Sequence, residues 1–412
     1  MTPGELCRSS LGLSFEQALA LALAVVSASG LWLWALGRRL PPGRGRLAAA
    51  AIVCAINVLL PKLFCRWDDT VTIILTSFNF MWLTSFKAVS WALGRGALCA
   101  QRFTPAQFLA VYAAPITPVS AAAEPAPAPS QATASTAADS NGGASGGPSG
   151  QPALTPGGSS SAGEARRRRG RLEEDAGGSG RMLGAWLAKA AFIAFLVWLL
   201  QHPLPGLLRA LAYTLALYAL LSMIMDGPAS VFIGLTGLRV SPHFDRPWMA
   251  TSVAAFWSKR WDLAAGNTLR QLVFDCVCEG RLWALPPGSA HKQTSPGRQL
   301  LASTATFATS GLVHECIFWY LTGHTTRGVW PSFFLVQVPF IVFERLVLAA
   351  LKRRNIILPD SLRALATMNL LLPAAYLLFW GPCERYGVAD SSVENVKATL
   401  LSAAGALGFK VG

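Results

Sequence analysis

The sequence predicts an all-α integral membrane protein with about eight transmembrane helices and one interfacial or re-entrant loop. Three observations point there. Of its 412 residues, 52% are hydrophobic and only 14% are charged, whereas soluble domains carry about 25% charged residues. Windows of roughly 20 apolar residues, long enough to cross a bilayer, recur along the chain. The alternating pattern of a membrane β-barrel, polar inward and apolar outward, is absent.

The first window covers roughly residues 15–36. It is long for a secretory leader and its start is weakly charged. Glu5 and Glu16 flank that start, and the window runs into Trp32, Trp34 and the Arg38-Arg39 pair, so it reads as a retained anchor. Windows at roughly 48–66 and 71–93 follow, the second with Lys87 inside it. Together these three make an N-terminal transmembrane region, residues 1–112. From 113 to 181 the composition shifts to Ala, Pro, Ser, Gly and Thr, which cannot bury a core and predicts a disordered insert. Its Arg166–Arg169 run, followed by Glu173, Glu174 and Asp175, is either a solvated charge run or a membrane-surface patch. Five more windows, at roughly 182–201, 206–236, 299–322, 331–351 and 364–382, form a C-terminal transmembrane core over 182–412. Asp226 and the Glu344-Arg345 pair lie inside them. Ionisable groups in spans are expected to pair with other helices, and Lys87 either reaches Asp226 or snorkels.

The net charge is +14. If the 37–47 loop, with Arg38, Arg39, Arg44 and Arg46, is cytosolic, alternation places the 94–181 and 237–298 loops and Lys352-Arg353-Arg354 on the same side. Basic cytosolic loops suit anionic membrane lipids or a phosphate-bearing cosubstrate. They do not imply nucleic acid, because topology alone demands the same bias. The eight cysteines (7, 54, 65, 99, 276, 278, 316 and 383) are scattered, so neither a disulfide framework nor a zinc site is expected.

The 237–298 loop is unusually aromatic and basic: Trp248, Phe256, Trp257, Trp261, Phe274 and Trp283 interleave with Lys259, Arg260, Arg270 and Arg281. Loops of this length are uncommon and often functional. Helix-like spacing from Trp248 to Val277 predicts interfacial or re-entrant helices, with Phe256, Trp257, Arg260 and Trp261 as candidate substrate contacts.

Ser310-Gly311-Leu312-Val313-His314-Glu315 places an ionisable pair within an apolar run, at a cost of at least roughly 2–3 kcal/mol per charged group on the mildest insertion scales. On a helix, His314 shares a face with Phe307, Ser310, Gly311 and Phe318, while Glu315 points about 100° away. An imidazole titrating near neutrality suits a general base; the plain alternative is a histidine satisfied by a neighbouring helix. Ser310, one turn away, invites a nucleophile role, although Ser-Gly pairs in spans also serve close helix packing. Asp262 is the leading candidate to orient His314, or else forms a surface ion pair with Lys259 or Arg260. Asn267 can donate to a developing oxyanion, or is simply a helix-surface residue. No phosphate-binding loop, nucleophile elbow or dinucleotide fingerprint stands in a suitable context.

Taken together, these residues resemble a known family. The run Phe244-Asp245-Arg246-Pro247-Trp248-Met249-Ala250-Thr251-Ser252, then Phe256-Trp257-Ser258-Lys259-Arg260-Trp261-Asp262, then Leu269-Arg270, looks like the block F-x-x-P-x-x-A-T-S-x-x-x-F-W-x-x-R-W-N … L-R of plant and algal wax synthases. Ser310–Glu315 resembles that family's S-G-x-x-H-E segment, and Ser85-Phe86-Lys87 its N-F-K. The resemblance implies a membrane-bound O-acyltransferase fold and transfer of a fatty acyl group from acyl-CoA, a cosubstrate, to a lipid alcohol. No cofactor or metal is implied. Wax ester synthesis is the first expectation, with sterol or diacylglycerol acylation on the same fold as the alternative. His314 would be the catalytic histidine. The resemblance and the span count imply residence in the endoplasmic reticulum. Two departures stand out: Asp262 occupies a position that is commonly Asn or His, and the insert replaces a shorter connection. Rival classes are a lipid transporter, with His314, Glu315, Asp226 and Lys87 along its path, and an inactive lipid-binding scaffold. The transporter should show an inverted repeat, which is absent.

Overall fold

The computed structural model describes residues 11–118, 179–238, 240–285 and 294–406. Among these the regular structure is helical, and the β content is one isolated antiparallel bridge between Pro118 and Val240. Five helices are long and apolar enough to cross a membrane: Phe15–Gly37, Arg44–Leu63, Gly206–Gly227, Val329–Arg353 and Asp360–Arg385. Of the three remaining apolar windows, one gives the shorter helix Gly184–Leu200. The other two also fold as helices, over residues 70–92 in three consecutive segments and over Pro296–Thr322. They are less apolar because they carry polar groups on buried faces, among them Ser77, Thr84, Ser85, Lys87 and Ser310.

The N-terminal helices are fixed by local chemistry at their ends. Phe15–Gly37 starts on a capping box in which Ser14 accepts from the Gln17 amide and the Gln17 side chain returns to the Ser14 amide. Its last turn is received by Arg46, whose Nη2 donates to the Gly37 carbonyl at 2.9 Å and whose Nε donates to that of Leu40 at 2.8 Å. At Gly30 an added Cβ would sit 2.7 Å from a ring carbon of Tyr112. Glycine there lets helix Pro105–Ala113 lie directly against the first helix.

Lys87 neither reaches Asp226 nor snorkels. It is 3% exposed, and its Nζ donates to the carbonyls of Val111 (2.7 Å), Ala114 (2.5 Å) and Ile116 (3.4 Å). The same helix sends Asn79 Nδ2 to the Ala113 carbonyl at 2.7 Å and Thr84 Oγ1 to that of Tyr112 at 3.2 Å. The last carbonyls of helix Pro105–Ala113, which have no intrahelical partner, are thus taken up one after another, and the ammonium lies at the negative end of that helix. Asp226 pairs instead with Lys189 (2.6 Å) and with Nδ1 of His243 (3.1 Å), and Nε2 of His243 donates to the Pro115 carbonyl at 2.7 Å.

These contacts shift the expected start of the insert. Ile116 is fully buried, the Ser241 amide donates to the Thr117 carbonyl at 3.0 Å, and Pro118 bridges to Val240. The packed chain therefore continues from 113 to Pro118, because its carbonyls complete the Lys87 and His243 networks. The disordered stretch expected beyond that point, with the Arg166–Arg169 run, lies outside the described residues up to 178.

Helix Pro296–Thr322 begins at Ser295, which accepts from the Arg298 amide, with Pro296 in the first turn, and ends at Gly323 with φ +75°. Midway along it, a Cβ on Gly311 would come 2.7 Å from Pro331 Cα. That glycine lets helix Val329–Leu335 pack backbone to backbone beside His314. Four segments of the described chain are π-helical: Ser77–Thr84, Phe256–Arg260, Arg270–Phe274 and Ala375–Trp380.

Candidate active site

A cavity of about 770 Å³ with a mostly apolar lining runs between the 70–92 helix, the motif loop and the helices that follow, within the size range of small-molecule sites. His314 lies on its wall. Each of the four π-helical segments contributes wall residues, including Phe78 and Trp82, Phe256 and Trp257, Arg270 and Phe274, and Phe379 and Trp380. Wide turns of this kind recur at functional sites.

The His314 ring is held on one side only. Its Nδ1 lies 2.8 Å from the Ser310 carbonyl. A carbonyl only accepts, so Nδ1 carries the proton and the neutral ring presents a bare Nε2 lone pair. Aromatic rings fix the imidazole plane: Phe334 lies 4.2 Å away between centroids, Trp82 5.3 Å, Trp330 6.0 Å and Phe379 6.2 Å. Trp330 is itself pinned, stacked on Phe379 at 4.6 Å and donating from Nε1 to the Phe379 carbonyl at 2.9 Å. Glu315 serves this second layer. Its carboxylate accepts from Thr326 Oγ1, which in turn accepts from the Trp330 amide at 2.9 Å. The pair His-Glu therefore divides its work, one residue on the cavity and the other fastening the turn that carries Trp330.

The structure brings His314, Asp262, Phe256, Trp257, Trp261, Asn267 and Ser310 to the lining of one cavity. It does not bring Arg260 there. Arg260 Nη1 donates to the carbonyls of Asp245 (3.0 Å) and Arg246 (3.4 Å), so this cation closes the motif loop on itself. The expectation that Asp262 orients His314 is also corrected. No hydrogen bond joins them among the described residues. Asp262 sits in the left-handed region (φ 39°) as the N-cap of helix Leu263–Leu269, with Oδ1 accepting from the Ala265 amide at 3.1 Å. Ser310 supplies the carbonyl that orients the imidazole instead, because it lies one helical turn away. Burial pushes the Asp262 carboxyl up to about 6, while the Ala265 amide pulls it the other way.

Trp257 Nε1 donates to Gln337 Oε1 at 3.1 Å, and the fully buried Gln337 passes its own Nε2 to the Phe333 carbonyl at 2.8 Å. Phe256 stacks on Trp261 at 5.5 Å. The Asn267 amide lines the cavity without a hydrogen bond to the described residues. Trp82, Trp330, Phe334 and Phe379 escaped the reading from sequence, since an aromatic residue in an apolar helix looks like ordinary core. The one available signal was their density, as in Ser77-Phe78-Asn79-Phe80-Met81-Trp82.

Residues 240–336, which hold the motif loop and His314, match the model of the membrane bound O-acyl transferase family. The chain is 27% identical over 193 residues to the probable long-chain-alcohol O-fatty-acyltransferase 8 of Arabidopsis thaliana, covering 46% of this chain and 53% of that protein. It is 25% identical over 215 residues to acyl-CoA–sterol O-acyltransferase 1 of the same plant, covering 51% and 59%. A third relative, the probable long-chain-alcohol O-fatty-acyltransferase 3, is 30% identical over 169 residues, covering 39% and 45%. The matches thus span about half the length of these relatives. No solved structure matches. Over residues 240–336, which carry His314, the chain is thus similar to the membrane bound O-acyl transferase family, the similarity that the motifs implied.

Proposed function

We propose that this protein is an acyl-CoA-dependent O-acyltransferase that esterifies a long-chain alcohol, giving a wax ester, with His314 as general base. The observation that supports this best is the half-held imidazole: Nδ1 is fixed on the Ser310 carbonyl and Nε2 is left free on an apolar cavity of about 770 Å³. In this reading the alcohol oxygen attacks the thioester carbonyl carbon while Nε2 takes the hydroxyl proton. The carbonyl π pair moves onto oxygen. When the tetrahedral species collapses, C=O reforms, the C–S bond breaks and the imidazolium returns the proton to the departing thiolate, giving ester and free coenzyme A. A dry wall of Trp82, Trp330, Phe334 and Phe379 keeps water from competing as acceptor. Arg270, exposed on the cavity wall within the basic loop, suits the phosphates of the coenzyme. Membrane lipids surround the helices, and the endoplasmic reticulum is the proposed site of residence.

The similarity to a sterol O-acyltransferase supports a second reading, in which a sterol occupies the acceptor position with the same chemistry. Microsomes expressing the chain, given labelled acyl-CoA with a panel of fatty alcohols, sterols and diacylglycerol, discriminate the acceptors. Ester formation with a fatty alcohol that disappears in His314→Ala at equal protein level is the expected result. No ester from well-folded protein with any acceptor would overturn the reading in favour of a lipid-binding or transport role.

A further inference from the structure

Polar side chains inside an apolar span are costly, and helix Gln337–Arg353 carries Gln337 and Glu344 on one face, seven residues apart. Glu344 Oε2 accepts from the Val253 amide at 2.9 Å, at the start of the segment that leads into Phe256 and Trp257. Gln337 Oε1 accepts from Trp257 Nε1 at 3.1 Å, on the π-helical turn of that same segment. The span therefore grips one short stretch of the motif loop at two points.

Gln337 does more than accept. It is fully buried, and its Nε2 donates to the Phe333 carbonyl at 2.8 Å. That bond reaches back across a break, because helix Val329–Leu335 ends there and helix Gln337–Arg353 starts two residues later. Gln337 stands behind the cavity lining, whereas Trp257 is partly exposed and lines the cavity. The Trp257 ring lies among Phe307, Phe333 and Phe334, with centroids 6.0, 6.2 and 6.0 Å away. Phe334 is in turn the ring packed at 4.2 Å on His314. One buried amide thus ties an indole that faces the substrate space to the backbone just ahead of Phe334.

Stability alone does not account for such an amide. Apolar groups of the same shape in place of both partners would serve the fold about as well, and a buried amide is costly unless both of its ends are met. What a fully satisfied polar pair adds is a single arrangement. The torsion that turns an indole about its stem is broad, so the bond to Gln337 narrows what packing leaves open.

We infer that Gln337 is a positioning residue that sets the Trp257 ring as a fixed wall of the cavity, and that this wall selects which acceptor chain fits beside His314. This rests on the acyltransferase reading and deepens it, from a residue just beyond the 240–336 match. In an apolar site a difference of one methylene shifts discrimination by about 10–200-fold. Gln337 touches no reacting atom, so its loss should move selectivity far more than turnover of the preferred acceptor.

The test separates the two partners. Gln337→Met keeps the shape and removes both ends of the amide, while β-(3-benzothienyl)alanine at position 257 keeps the ring and replaces its N–H with sulfur. Full-length protein in microsomes is given labelled acyl-CoA with saturated alcohols from dodecanol to octadecanol and with a sterol. In each variant the ratio of kcat/KM between the best and the worst acceptor is expected to fall about tenfold or more. The two changes combined should do no more than either alone, within about twofold. An unaltered acceptor profile in the benzothienyl variant overturns the inference, and that variant decides the matter where Gln337→Met fails to reach the membrane. A uniform loss across all acceptors, or effects that multiply in the combined variant, also overturns it, since a purely structural role scales every acceptor alike. If the unaltered protein transfers no acyl group, the acyltransferase reading fails; if it transfers to all acceptors alike, or the variants keep its profile, the Gln337 assignment alone fails.

Discussion

Among the ionisable groups within the apolar helices of this protein, Lys87 and His314 have opposite surroundings. Lys87 spends its donors on three backbone carbonyls at a helix end. His314 has one nitrogen engaged and the other left open on a cavity. A buried charge whose valences are all filled is a structural clasp, and its worth is in the segments it joins. A buried imidazole with one lone pair open on a cavity fits the general-base role proposed for it. Residue type alone does not separate the two cases; the count of satisfied valences does.

The sharpest way to break the comparison is to remove each group. His314→Ala should abolish acyl transfer, by at least about 10²–10⁴-fold, while thermal stability in detergent barely changes. Lys87→Met should do the reverse. Leaving two or three buried carbonyls bare, at about 1–3 kcal/mol each, should lower the protein level and the melting temperature before any kinetic effect can be read. A stable Lys87→Met protein that is catalytically dead would erase the distinction.

Gly311→Val tests whether the His314 helix depends on its close approach to Pro331. A Cβ 2.7 Å from Pro331 Cα forces helix Val329–Leu335 away and carries Trp330 and Phe334 with it. Loss of most transfer activity, together with about 1–3 kcal/mol of stability, is the expected outcome in paired activity and melting assays.

Asp262→Asn gives a smaller and pH-dependent effect. Asparagine keeps the N-cap and tolerates the left-handed conformation. The Asp262 carboxyl is raised in the fold to about 6, so its protonated form is favoured by folding. The stability it contributes is present at low pH and is lost as pH rises through about 6. The asparagine variant should therefore be more stable than the parent at pH 7–8, by an amount on the order of 1–3 kcal/mol. The gain should shrink to nothing toward pH 4, as melting curves across pH can establish. The smallest change is expected from Glu315→Gln, which retains an acceptor for Thr326. It should cost under about 1 kcal/mol, against a larger loss in Glu315→Ala, since the role assigned to Glu315 is to hold a turn.

The sequence made His314 and the motif loop legible because an imidazole in an apolar run and a dense basic-aromatic loop are costly patterns that chance composition does not produce. Lys87 stood out for the same reason, but its partners did not. They are backbone carbonyls, which carry no side-chain signature. The partners of Arg260 were equally hidden, because the carbonyls of Asp245 and Arg246 to which it donates carry no side-chain signature either. Trp82 was invisible for another reason. What singles it out is its ring set against that of His314, and such a contact exists only in three dimensions.

The four π-helical segments around the cavity carry a further consequence for how this site tolerates change. Each holds its wall residues in a turn that takes one residue more than an α-turn would. Deleting a single residue from such a turn would restore ordinary winding, leaving the helix beyond it facing as before while narrowing the turn itself and changing which of its side chains reach the cavity. Point substitutions in these segments adjust the lining by an atom or two, whereas a one-codon deletion rewrites it. The bore of this site is stored in these wide turns, so length variation within them is the coarse control on what fits inside.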